Sequence, residues 1–87
     1  MIPDEVVSMA LSERIAALFE EIFGLERSRF ALDLAPETVP NWDSIGHMNM
    51  VMELEKQFGA QFEVDEIMEM TSPARIIEIL QRKGVAD

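Results

Sequence analysis

The chain has 87 residues, which is enough for one small domain with a single hydrophobic core. Its formal net charge of −10 disfavours binding to the phosphate backbone of nucleic acids and favours partners with basic surfaces. Because it has no cysteine and one histidine, a disulfide framework, a thiol nucleophile and a metal site of several histidines are excluded.

The first 11 residues are compatible with two structures. Either a helix begins near Pro3, with acidic residues in its first turn, or residues 1–11 form a loose arm. The N-terminus has no basic stretch followed by an apolar one, and no apolar run approaches the roughly 20 residues of a membrane span. We therefore expect a single domain over residues 1–87, cytoplasmic and without a membrane span.

The first firmly predicted helix begins at Ser12 and ends at Gly24. Its apolar stripe consists of Leu11, Ile15, Leu18, Phe19 and Ile22. A long loop over residues 26–42 follows, because Pro36 and Pro40 forbid a continuous helix. Four apolar residues are spaced to hold this loop on the core: Phe30, Leu32, Leu34 and Trp42.

Three further helices complete an all-α fold, a small four-helix bundle with three longer helices and a short third helix. The second helix begins at Asp43 or Ser44 and ends at Phe58, and the short third helix covers residues 64–70. The fourth begins after a cap at Thr71 or Ser72 and ends at Gly84. Its predicted inward residues are Ile76, Ile77 and Leu80.

The second helix has two apolar faces. At about 100° per residue, one face holds Met50, Val51, Leu54 and Phe58. The nearly opposite face holds Ile45, Met48 and Met52, which we call the methionine stripe. Periodicity alone leaves two interpretations of this stripe. It is either an exposed docking surface, to which flexible methionines are suited, or core covered by the third helix or the loop.

The start of the second helix also has two interpretations. In one, Asp43 or Ser44 is only an N-cap. In the other, Ser44 carries an anionic group at the positive end of the helix dipole. A Ser–His hydrolase is disfavoured, because the sequence indicates no oxyanion hole and His47 is predicted to face the core side near the loop. No metal site is predicted, and the acids of the third helix are expected to form a solvated face: Glu63, Asp65, Glu66 and Glu69.

Residues 42–59, WDSIGHMNMVMELEKQFG, resemble the acyl carrier proteins, whose second helix begins with Asp-Ser-Leu and ends in Phe-Gly. Residues 21–25, EIFGL, are similar to the end of the first helix in that family. The resemblance implies that Ser44, within a modification motif that includes Asp43, is esterified by 4′-phosphopantetheine. A separate carrier-protein synthase, a phosphopantetheinyl transferase, would supply this group from coenzyme A. The thiol of the arm would hold an acyl group as a thioester, and the carrier itself would not be an enzyme.

Two departures refine this expectation. Gly46 and Asn49 stand where carriers of fatty-acid synthesis typically have acids, so the resemblance favours a stand-alone carrier of a specialised pathway. The partners implied are acyl-loading and acyl-processing enzymes with basic docking surfaces. The predicted docking residues are Ile45, Met48, Met52, Glu53 and Glu55. An aminoacyl or peptidyl carrier and an unmodified helical interaction module remain as alternatives, and we expect a monomer.

Overall fold

The computed structural model describes residues 10–85, which contain α-helices and short 3₁₀ turns but no β-strand. The four helices are α1 (Leu11–Phe23), α2 (Ser44–Phe58), α3 (Val64–Glu69) and α4 (Pro73–Arg82). The prediction of an all-α bundle with three longer helices and a short third one is confirmed. The choice between an early helix and a loose arm over residues 1–11 depends on residues 1–9, which lie outside the described residues, whereas Leu11 already belongs to α1.

The chemistry at the helix ends explains where each helix begins and ends. Asp43, rather than Ser44, caps α2, since its carboxylate accepts a hydrogen bond of 2.9 Å from the Gly46 amide. Ser72, rather than Thr71, caps α4. Helices α1 and α2 both end at a left-handed glycine, Gly24 and Gly59, where an L side chain would be strained.

The core lies between α1, α2 and α4 and is closed by the long loop. Its side chains with at most 1% exposure include Leu11, Ile15, Leu18, Phe19, Met50, Leu54, Met70, Ile76, Ile79 and Leu80. On α4 the predicted stripe needs a correction. Ile79 is fully buried, whereas Ile77 is half-buried and packs against the edge of the core. Residues 76, 79 and 80 follow the three- and four-residue spacing of one helix face more closely than residues 76, 77 and 80 do.

The loop is attached to the bundle partly by its backbone. Phe30 and Leu34 pack against the core and Trp42 is buried, as predicted. The prediction for Leu32 is wrong, because its side chain is 46% exposed. Its carbonyl oxygen instead accepts a hydrogen bond of 3.0 Å from the Ala74 amide in the first turn of α4. Val39, which the sequence analysis did not single out, is a second buried residue of this loop, beside Trp42.

Helix α3 is held to α4 by ion pairs and to α2 by hydrogen bonds. Glu66 pairs with Lys83 at 3.1 Å, and Glu69 pairs with Arg82 at 3.0 Å. The predicted solvated acidic face on α3 needs a correction for Glu66, whose side chain is 24% exposed in its ion pair, whereas Glu69 stays 43% exposed. Among residues 10–85, each helix is too short or too polar to span a lipid bilayer.

Candidate functional site

Ser44 is the first helical residue of α2, and its side chain is exposed. Because Asp43 supplies the cap, the Ser44 hydroxyl does not take part in starting the helix and is available for chemistry. It also lies at the positive end of the α2 dipole, where negative charge is stabilised. The helix start thus presents a free hydroxyl in a position that favours an attached anionic group.

The end of the loop reaches α2 through an unusually close backbone contact. Gly46 is buried in the first turn of the helix, and a Cβ atom at this position would overlap the carbonyl oxygen of Asn41. The same Cβ would lie 3.0 Å from the ring of Phe23. Asn41 itself adopts a left-handed conformation, with φ of 70°. Only glycine fits at position 46, and this contact sets the path of the loop just before the helix start.

An aromatic cluster underlies the site. Trp42 is 5% exposed and packs edge-to-face against Phe19, with ring centroids 5.2 Å apart. Its centroid lies 5.7 Å from that of Phe23, and Phe19 also packs edge-to-face on Phe30. Such pairs are stabilising beyond the area that they bury. The residue two positions before Ser44 is therefore fixed in the core of the bundle.

His47 connects this cluster to α3. The indole N–H of Trp42 donates to Nδ1 of His47 at 2.8 Å, and Nε2 lies 2.8 Å from the carbonyl oxygen of Ile67. Because an indole can only donate and a carbonyl can only accept, the proton of the neutral ring must reside on Nε2. The imidazole also stacks on Trp42. The predicted position of His47, on the core side near the loop, is confirmed.

An open groove of about 470 Å³ begins at Ser44. It is lined by Pro36, Trp42, Asp43, Ser44, His47 and Met48. The proline, the indole and the thioether make much of its wall apolar, and its volume is within the range of small-molecule sites. A phosphodiester on Ser44 would have the helix N-terminus beside it and this groove next to it. The residues present thus fit a phosphate-linked organic arm.

The methionine stripe is exposed. Ile45 is 76% exposed, Met48 46% and Met52 57%, so the alternative in which these residues belong to the core is wrong. The two acids predicted beside it have neighbours of their own. Glu53 accepts a hydrogen bond from Gln57, and Glu55 accepts one of 3.2 Å from the Phe62 amide. Glu55 therefore helps to position the segment that enters α3.

Helix α3 adds two exposed apolar residues that the sequence analysis missed, Val64 at 71% and Met68 at 73% exposure. They lie four residues apart and so share one side of the helix. Glu66 points to α4, where it meets Lys83. Successive residues of a helix are about 100° apart around its axis, so residues 64 and 68 lie on the side of α3 opposite Glu66. That side faces away from α4. Val64 lies between two acids and Met68 beside one, so the sequence analysis assigned this helix an acidic face instead.

The placement of α3 along α2 follows from two hydrogen bonds. Phe62, just before α3, is joined to Glu55, and Ile67, near the end of α3, is joined to His47. The short helix therefore runs back along α2 toward Ser44. Its outer apolar residues and the methionine stripe therefore lie on neighbouring helices.

A comparison with protein-family models matches residues 42–80 to the phosphopantetheine attachment site. The matched segment begins at Trp42 and includes α2, α3 and all but the last two residues of α4. A comparison with curated proteins gives no match. The matched family bears a covalently attached 4′-phosphopantetheine, in agreement with the exposed hydroxyl and the groove at the start of α2. The match of residues 42–80 to the phosphopantetheine attachment site thus supports the resemblance of this chain to the phosphopantetheine-bearing carrier proteins.

Proposed function

We propose that Ser44 is the attachment residue and that the chain carries acyl groups as thioesters on its 4′-phosphopantetheine arm. The observation that carries this proposal is the exposed Ser44 hydroxyl on the first residue of α2, left free because Asp43 provides the cap. When bound, the arm supplies the thiol that this cysteine-free chain lacks. The protein's own residues hold the attachment point and present it to other proteins.

The residues around Ser44 support a carrier rather than an enzyme. The only histidine of the chain has Nδ1 engaged by the Trp42 indole and Nε2 engaged by the Ile67 carbonyl. It is therefore not free to take the proton of the Ser44 hydroxyl, as the base of a hydrolase would. The transfer of the arm to Ser44 would be performed by a separate phosphopantetheinyl transferase.

Position 46 supports a carrier of a specialised pathway rather than of bulk fatty-acid synthesis. Carriers of fatty-acid synthesis typically have an acid there. In this chain, any side chain at that position would meet the Asn41 carbonyl. Asn49, the second such position, is neutral and exposed. We propose that docking relies on the methionine stripe, with Val64 and Met68 beside it, and on partners whose basic surfaces are attracted by the net negative charge.

Intact mass spectrometry tests the attachment residue. Co-expression with a phosphopantetheinyl transferase is expected to add the mass of one phosphopantetheine group to the wild-type chain and none to Ser44→Ala. The variant should keep its helical fold and melting temperature, because Asp43 rather than Ser44 caps α2. Ser28→Ala, at an exposed serine in the loop, is the matched control and should be modified like the wild type. Mass gain in Ser44→Ala would contradict the proposal.

A further inference from the structure

We infer that a group carried on Ser44 stays outside the bundle, and that the cargo is therefore small or polar rather than a long alkyl chain. The inference rests on the proposed function of Ser44 and adds a cargo class to it. A chain tethered at Ser44 could enter the fold by two routes: inward past Trp42, or sideways between α2 and α3. The inference depends on which side chains occupy each route.

The inward direction is filled by the aromatic cluster. Trp42 is buried directly behind the attachment site, and its ring contacts those of Phe19 and Phe23 with centroids 5.2 and 5.7 Å apart. Phe19 and Phe23 in turn contact each other at 5.1 Å. An alkyl chain could enter here only by displacing close-packed rings, and interiors of this density respond poorly to added volume.

The direction between α2 and α3 is closed by His47. Its ring bridges the two helices, with one nitrogen bound to the Trp42 indole and the other to the Ile67 carbonyl. Met50 on α2 and Met70, directly after α3, are both buried in the core, with 0% and 1% exposure. Separating α2 from α3 would leave the Nε2–H donor of His47 and the Ile67 carbonyl acceptor without partners, which is unfavourable inside a protein.

A second cleft, remote from Ser44, is poorly suited to an alkyl chain. It has a volume of about 740 Å³ and lies at the C-terminal end of α2, next to Gly59. At a rise of 1.5 Å per residue, this end is roughly 20 Å from Ser44. Arg14, Glu66 and Lys83 are among its lining residues. Outside the core, a long alkyl cargo would find only the open groove of about 470 Å³ at Ser44. The methylene groups beyond that groove would stay in water, which disfavours them.

The test compares carriers loaded with arms that end in acetyl, butyryl and octanoyl groups. Intact mass of the wild type and of Ser44→Ala first establishes that each arm is on Ser44. A missing mass gain in the wild type, or a gain in Ser44→Ala, would contradict the proposed function itself. The single tryptophan gives one indole N–H resonance, which reports directly on the bond to His47. We expect this resonance, the amide resonances of the core and the melting temperature to be the same for all three cargoes. A melting temperature that rises with chain length, or an indole resonance that moves with it, would overturn the inference.

A variant tests the role assigned to His47. His47→Ala removes the bridge, so its melting temperature and indole resonance should become sensitive to the octanoyl group. Asn49→Ala, at an exposed position of the same helix, is the matched control and should behave as the wild type. His47→Gln can still accept one hydrogen bond and donate another, so it should also behave as the wild type. It keeps the test informative if the alanine variant does not fold. If His47→Ala folds but its melting temperature and indole resonance do not depend on the length of the acyl cargo, His47 does not close the route between α2 and α3.

Discussion

Gly46 is the residue on which the geometry of the attachment site depends most directly. It lies in the first turn of a helix, where alanine is ordinarily favoured over glycine by about 1 kcal/mol. Here the same methyl group would overlap the Asn41 carbonyl oxygen. The overlapping atom belongs to the backbone of a loop that Trp42 fixes in the core, so it cannot move aside easily.

We predict that Gly46→Ala lowers the free energy of unfolding by ~1–3 kcal/mol, the usual range for overpacking in a filled site. Equilibrium urea denaturation measures this change. Gly59→Ala is the matched control, because its Cβ would meet open space and its only cost is the left-handed backbone, roughly 1–2 kcal/mol. An alanine at position 46 that leaves stability unchanged or raises it would show that the loop does not approach the helix so closely.

At the scale of single elements, α2 separates its two faces clearly. Met50, Val51 and Leu54 are buried, whereas the methionine stripe is exposed on nearly the opposite side. A helix with this distribution contributes stability through one face and leaves the other for partners. The two properties can therefore be changed independently.

We predict that Met48→Glu reduces the rate of modification by a phosphopantetheinyl transferase while changing stability by no more than about 0.5 kcal/mol, as is usual for surface positions. Modification kinetics and thermal unfolding measure the two effects. Met50→Glu, two residues along the same helix, is the matched core variant and should unfold the protein, since it buries a charge. A large loss of stability in Met48→Glu would contradict the two-face description.

Helix α3 depends on a carboxylate that serves two partners. Glu66 accepts a hydrogen bond of 2.8 Å from the Glu63 amide and forms an ion pair with Lys83. The amide of Glu63 first, and then the ammonium of Lys83, hold the pKa of Glu66 below its ordinary value of 4.5. The ionised form is thus favoured in the folded state, and Glu66 stabilises the fold at neutral pH.

This lowered pKa fixes the sign of a pH effect. The stabilisation by Glu66 is fully present above pH ~4.5, where the carboxyl of the unfolded chain is also ionised, and it is lost as the pH falls through the lower pKa of the folded state. We predict that Glu66→Gln melts at a lower temperature than the wild type at pH 7 and that this difference shrinks below pH ~4.5. Thermal unfolding between pH 7 and 3 measures it. Glu78→Gln, whose partner Arg75 lies in an exposed pair on the same helix, is the control and should change less. A difference that stays constant down to pH 3 would contradict the assignment.

The elements that could be predicted from the sequence are those set by local chemistry. Helical periodicity located α1, α2 and α4, and capping residues and glycines located their ends to within about a residue. The two faces of α2 followed from the same periodicity. The position of Ser44 at the start of a helix required only the loop prolines and the Asp-Ser pair before an apolar stripe.

The features that could not be predicted depend on where distant segments meet. No local sequence pattern indicates that the Asn41 carbonyl approaches Gly46. Nor does one indicate that Leu32 attaches the loop by its backbone and not by its side chain. Likewise, Glu66 has its ion-pair partner 17 residues further along, at Lys83. The tertiary arrangement decides these contacts, of which the first positions the loop before Ser44, the second attaches the loop to α4 and the third holds α3.

At the scale of the whole molecule, acids dominate the charge distribution, and most of those in the described part of the chain have no ion-pair partner there. The chain has 17 acidic and 7 basic residues. Four ion pairs occur among residues 10–85, and in three of them both side chains are more than 40% exposed. Exposed pairs of this kind contribute about 0–1 kcal/mol each. They do not cancel the self-repulsion that a net charge of −10 produces in the folded state.

The size of the molecule makes this repulsion sensitive to salt. The described residues extend over 40 × 29 × 19 Å, and the Debye length falls from about 30 Å at 0.01 M salt to about 10 Å at 0.1 M. At low salt, acids on opposite sides of the molecule therefore repel one another, whereas at moderate salt mainly near neighbours do. Screening should stabilise the folded chain and, at the same time, weaken its attraction to a basic partner.

We predict that the melting temperature rises between about 0.01 and 0.1 M sodium chloride, while the association rate with a phosphopantetheinyl transferase falls over the same range. Thermal unfolding and stopped-flow binding measure the two trends. Asp65→Asn removes an exposed acid that has no ion-pair partner among residues 10–85, so its melting temperature should depend less on salt. A melting temperature that is flat or falls with salt would contradict the role of self-repulsion, because the loss of the ion pairs at Lys83 and Arg82 would then outweigh it. An association rate that does not change with salt concentration would mean that docking depends on the methionine stripe and not on the acids.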